Sequence, residues 1–100
     1  MQLARFLNNV FKKDGFILID ANSKSYIIGN PKSENPIKLK ILNKNLHYKL
    51  LFHPDLYFGE AYTDGEIIIE NGTLTDFLDL SLMNFGRGEL NFFSSLINKL

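Results

Sequence analysis

Leu3, Phe6, Leu7, Val10 and Phe11 recur at helical spacing at the start of the chain, a pattern that predicts a short amphipathic helix. Asp14-Gly15 stops it. Residues 16–20 form an apolar run that reads as a strand. Ala21, Asn22, Ser23 and Lys24 supply turn chemistry, and residues 25–29 read as a second strand, so the two form a hairpin. A polar loop with Pro31 and Pro36 follows. Residues 37–41 then alternate strictly, with Ile37, Leu39 and Ile41 on a dry face and Lys38 and Lys40 on a wet one. The two lysines read as solubilising charges on an edge strand.

Asn43 or Asn45 is placed to cap a helix through Leu46, Lys49, Leu50 and Phe52, which His53-Pro54 ends. A second helical segment is expected over 56–63. The run Ile67, Ile68, Ile69 predicts a strand over 66–70, buried on both faces. Asn71-Gly72 turns the chain, and Thr73 with Asp76 resembles a capping box, with Asp in the position where Glu is commoner. Leu74, Phe77, Leu78, Leu80, Leu82 and Met83 make a strongly apolar helix. Residues 85–88 read as a flexible break, and Phe92, Phe93, Leu96, Ile97 and Leu100 fall on one further helical stripe.

The resulting order, α-β-β-β-α-α-β-α-α, predicts an α+β domain. Its sheet is expected to be mainly antiparallel, of four to five strands, with helices packed on one face. The last strand follows two helices, so there is enough chain for it to pair in parallel with an earlier strand. We divide the chain into a single α+β domain over 1–85 and an amphipathic C-terminal segment over 86–100. If the first 85 residues complete the core, the stripe from Phe92 to Leu100 has no assigned cover and marks an interface with another domain, a second copy or a bilayer surface, the alternative being that it folds back on its own domain.

Composition narrows the function. Apolar residues make up 45% and charged residues 22% of the 100 positions, as expected of one globular domain. The formal net charge is zero, which argues against a nucleic-acid partner, since such proteins need a basic face. There is no cysteine, so disulfides, thiolate metal sites and cysteine nucleophiles are excluded. The apolar runs are far shorter than the roughly 20 residues of a spanning helix, and the first residues lack the core of a signal peptide. The expected location is therefore cytoplasmic, with peripheral contact at the inner membrane face as the alternative. Asn71-Gly72-Thr73 matches a glycosylation triplet but reads as a turn.

The densest candidate chemistry lies over 57–66. Glu60 and Asp64, four residues apart, share one helical face and suit a paired-carboxylate site in spacing, although no nucleophile or metal cluster accompanies them. Asp64 is equally suited to ending the helix, and Glu60 to bonding an amide or a cation. Gly59 allows close packing of the helix on a strand, and Gly65 supplies a left-handed helix end. Tyr57, Phe58 and Tyr62 either line a lipid-facing groove or pack in the core. His47 and His53 lack a zinc-helix spacing and a third ligand, so no metal is expected.

The phrase Phe58, Gly59, Glu60, Ala61, Tyr62, Thr63, Asp64, Gly65, Glu66 resembles one found in the N-terminal domain of the cyclopropane-fatty-acyl-phospholipid synthase family, with Thr63 in place of the usual methionine. The strands over 16–20, 26–29 and 37–41, the link over 50–56 and the helix over 74–82 resemble that domain in order. The resemblance implies a sterol-carrier-like fold and a non-catalytic role in lipid engagement and assembly. In that family a separate C-terminal domain binds S-adenosylmethionine and methylates the double bond of an unsaturated phospholipid acyl chain. No residue here corresponds to that domain, so no cofactor and no catalytic residue are expected within this chain. The partners implied are a catalytic methyltransferase domain or a second copy in a homodimer, with a phospholipid or fatty-acyl ligand. The residues implied in ligand or interdomain contact are Tyr57, Phe58, Gly59, Glu60, Tyr62, Asp64 and Gly65. A stand-alone lipid carrier and a purely structural dimerisation module remain open as alternatives.

Overall fold

Alternation along the strands sends one set of side chains toward the helices and the other set away, and this division organises the molecule. The computed structural model describes residues 1–84. The elements are α1 (Gln2–Val10), β1 (Gly15–Ile19), β2 (Ser25–Gly29), β3 (Lys38–Ile41), α2 (Leu46–Phe52), α3 (Pro54–Thr63), β4 (Ile67–Glu70) and α4 (Leu74–Asn84). The described residues thus form an α+β fold of four helices and one four-stranded mixed sheet, in the order β2-β1-β3-β4. The apolar segment over 86–100 assigned from the sequence, with Phe92, Phe93, Leu96, Ile97 and Leu100, lies outside the described residues, as does the break over 85–88.

Two of the three strand pairings are antiparallel, β1 with β2 and β3 with β4, while β1 and β3 run parallel. The expected parallel pairing of the last strand is therefore corrected: β4 is antiparallel, and the parallel pair lies at the centre of the sheet. β2 carries the chain back to the end where β1 begins, so the loop over 30–37 reaches β3 without a crossover helix. Asp14 anchors that loop. Its carbonyl accepts the Asn30 N–H, and its carboxylate accepts the N–H groups of Gly15 and Lys32. β3 is consequently an inner strand, and Lys38 and Lys40 do not lie on an edge.

Phe16, Leu18, Ile28, Leu39, Ile41 and Ile67 face the helices and join Leu3, Ala4, Phe11, Leu46, Leu50, Phe58, Ala61, Phe77 and Leu80 in one buried cluster. All four helices bury residues in this cluster, so they cover the same face of the sheet. The opposite face carries Ile17, Ile19, Ile27, Lys38, Lys40 and Ile68 in register. Ile68 is 41% exposed, which corrects the expectation that all three isoleucines of β4 are buried. Only the helix-facing side of β4 is dry, because no described helix covers the other.

Local signals act largely as their chemistry dictates. Thr73 and Asp76 form a reciprocal capping box: the Thr73 N–H donates to the Asp76 carboxylate at 2.9 Å, and the Asp76 N–H donates to Thr73 Oγ1 at 3.1 Å. Neither Asn43 nor Asn45 caps α2 in this way. Asn43 Oδ1 accepts the Asn45 N–H, and Asn43 Nδ2 donates to Glu66. α1 ends at Val10, ahead of Asp14-Gly15. Gly15 serves the sheet instead: a Cβ there would lie 2.0 Å from the Ile28 carbonyl oxygen, so only glycine lets β1 and β2 approach.

Candidate functional site

The stretch over 57–66 is built as a helix stop that hands over to a strand. The Glu66 N–H donates to the Ala61 carbonyl at 2.8 Å and the Gly65 N–H to the Tyr62 carbonyl at 3.2 Å. These two bonds form a Schellman closure, and Gly65 provides the left-handed residue it needs, with φ of +78°. β4 begins two residues later at Ile67, which is buried. The order aromatic, carboxylate, Asp-Gly, isoleucine is therefore first a folding instruction.

Its side chains divide sharply. Phe58 is buried and stacks on Phe77, with centroids 5.5 Å apart and planes 11° from parallel. Gly59 and Ala61 are buried beside it. Tyr57 is half-buried, and the Lys49 ammonium lies 5.3 Å from its ring centroid. Tyr62 is half-buried. Glu60 and Asp64 are both exposed and sit with Gly59 and Thr63 on an open cleft of about 430 Å³. The structure brings the two carboxylates to one helical face as the spacing requires, beside the Thr63 hydroxyl, which donates to the Gly59 carbonyl at 2.9 Å. No group of three imidazole or carboxylate side chains suited to a metal occurs among the described residues.

Phe58 also borders an almost wholly apolar slot of about 50 Å³ between α1, α4 and the sheet, with Leu7, Phe11, Phe16 and Phe77. Among the described residues, Ser81 is the one polar side chain on this wall, and its hydroxyl donates to the Phe77 carbonyl at 2.9 Å. Ligand pockets usually span about 300–1,000 Å³, so this slot must open before it admits an acyl chain.

Sequence reasoning missed a second cleft, beside the end of β1. It measures about 440 Å³, and its walls include Asp20, Asn22, Lys44, His47, Tyr48 and Leu51. Asp20 is buried. Burial by itself raises the pKa of this carboxyl. The N–H groups of Lys24 and Asn22, the Tyr26 hydroxyl and the nearby charge of His47 outweigh it, and the group lies below the usual aspartate range. His47 Nε2 is buried without a hydrogen-bond partner among the described residues. The turn over 21–24 was legible locally, but nothing in the spacing of positions 20 and 47 joins them.

On the open sheet face the strand register places Ile27, Ile17, Lys38 and Glu70 in one row and Ser25, Ile19, Lys40 and Ile68 in the next. Ile27 is 67% exposed, and Leu42, on the same side of the chain as Lys38 and Lys40, is also exposed. This is a mixed surface, with isoleucines on β1, β2 and β4, lysines at the centre and acids along β4. No helix among the described residues is long and apolar enough to cross a membrane. Comparison with protein-family models, with curated proteins and with solved structures finds no match for this chain.

Proposed function

We propose that this chain is a non-catalytic lipid-engaging and assembly domain, of the kind that precedes the methyltransferase domain in cyclopropane-fatty-acyl-phospholipid synthases, with a sterol-carrier-like fold. In this reading the methyl-transfer chemistry and S-adenosylmethionine belong to a separate catalytic domain. The domain brings an unsaturated acyl substrate or its membrane close to that partner. The observation that carries the proposal is the open sheet face: Ile17, Ile19, Ile27 and Ile68 share a surface that no described helix covers. The helix-to-strand handover at Gly65 and the order of strands and helices around it support the family resemblance. The stand-alone carrier is less well supported, because the apolar slot beside Phe58 is only about 50 Å³.

The lysines and glutamates of the face balance, so contact with lipid rests on apolar insertion more than on charge. The expected result is that the full chain floats with vesicles of zwitterionic unsaturated phospholipid, and that the double variant Ile27→Glu, Ile68→Glu stays behind while remaining folded by circular dichroism. If the unmodified protein fails to float, the membrane part of the proposal is withdrawn. If it also fails to bind a cyclopropane-synthase catalytic domain supplied separately, the assembly part is withdrawn as well.

A further inference from the structure

The two edges of the sheet are finished differently. Along β2, the Gly29 N–H donates to Asn8 Oδ1 at 2.8 Å, and Asn8 Nδ2 donates to the Ile27 carbonyl at 3.4 Å. The Asn8 amide, carried on α1, thus takes one donor and one acceptor of that edge as a neighbouring strand would. Along β4 the parity of the ladder can be read directly. The Leu42 N–H donates to the Glu66 carbonyl at 2.9 Å, and Lys40 and Lys38 lie opposite Ile68 and Glu70. The even-numbered residues of β4 therefore turn their backbone groups toward β3, and Ile67 and Ile69 turn theirs toward the free edge. No side chain among the described residues closes this edge as Asn8 closes the other.

We propose that the free edge of β4 binds an extended peptide strand whose outward-facing side chains are basic. An added strand would accept from and donate to Ile67 and Ile69, in the manner of β-strand addition. Its side chains on the open face would lie beside Glu66, Ile68 and Glu70. Two carboxylates flanking one isoleucine favour a partner that alternates cationic positions with small apolar ones, since opposite charges across a strand pair stabilise it and like charges do not. The other side chains of the added strand would continue the dry face next to buried Ile67 and half-buried Ile69. A second copy of this chain is a poorer occupant: antiparallel pairing about Ile68 sets Glu66 against the copy's Glu70. The inference concerns the backbone edge and does not depend on the lipid reading of the sheet face.

The probe is a capped peptide of alternating lysine and valine, about seven residues long, titrated into the isotope-labelled full chain. Binding is expected to shift the amide resonances of Ile67 and Ile69 and to slow their hydrogen exchange. N-methylation of one alternate set of peptide residues abolishes binding, and methylation of the other set leaves it within about threefold, because only one set faces the edge. The double variant Glu66→Lys, Glu70→Lys reverses preference by roughly tenfold toward a glutamate–valine peptide. Absence of binding, equal loss with both methylated sets, or shifts confined to other strands overturns the proposal. A dimer in light scattering, with the edge amides already protected before peptide is added, overturns it in favour of a second copy.

Discussion

At the scale of single residues, short polar side chains close most of the backbone that the helices and strands leave open. Asn84 accepts the Lys12 and Lys13 N–H groups and donates to the Lys13 and Leu80 carbonyls, tying the end of α4 to the turn before β1. Asp20 does the same for the β1–β2 turn and carries a charge while buried. Its pKa is lower in the folded chain than the ordinary value of 3.8, so the folded state binds its proton less readily than the unfolded one. The stability this contributes is complete above 3.8 and is lost as pH falls through the lower folded value. Asp20→Asn is expected to keep much of the turn but to flatten the acid limb of stability. Denaturant midpoints measured from neutral pH down to about pH 2 check this, and an unchanged acid limb would assign the loss to other carboxyls. The turn after β1 was readable from Ala21, Asn22, Ser23 and Lys24, whereas Asp20 read as the end of the strand. The approach of His47 was not, because α2 brings it there through packing.

At the scale of elements, the stops and starts are the best-determined features. The capping box at Thr73 and the Schellman closure at Gly65 each involve residues within a few positions, so their chemistry is complete before any tertiary contact forms. The space around Gly65 is open, with nothing within 4 Å of a Cβ placed there, so a side chain meets no clash and only backbone conformation is taxed. Gly65→Ala is therefore expected to cost about 1 kcal/mol and Gly65→Val more, with Gly65→Asn retaining most of the stability. Urea denaturation distinguishes the three. Equal stability across the series would show that the left-handed turn does not hold α3 to β4. Strand pairing is the feature of this scale that the pattern left undetermined. Strict alternation over 37–41 gave β3 one dry face correctly, yet alternation is the same for an edge strand and for an inner strand with one open face.

At the scale of the whole molecule, four aromatic rings join the layers. Phe77 of α4 meets Phe16 of β1 edge-on at 5.2 Å, stacks on Phe58 of α3 and lies 6.5 Å from Phe11 after α1. Phe77→Ala removes the shared member and is expected to cost about 3–5 kcal/mol, a large part of the stability of so small a domain, whereas Phe77→Leu costs about half as much or less. Thermal and denaturant unfolding check the ratio, and a small loss for alanine would mean that the slot beside Phe58 collapses readily. The sequence by itself determined the α+β class, the order and approximate bounds of the eight described elements, the dry face of β3, the capping box at Thr73 and the helix end at Gly65, because these follow from periodicity and short-range chemistry. Tertiary structure alone decided that β1 and β3 pair in parallel, that β3 lies inside the sheet, that Asp20 and His47 share a cleft, and that Asn8 closes the β2 edge while no described side chain closes that of β4. Those outcomes depend on which distant surfaces bury each other, and a pattern repeating every two or four residues contains no information about which surface it will meet.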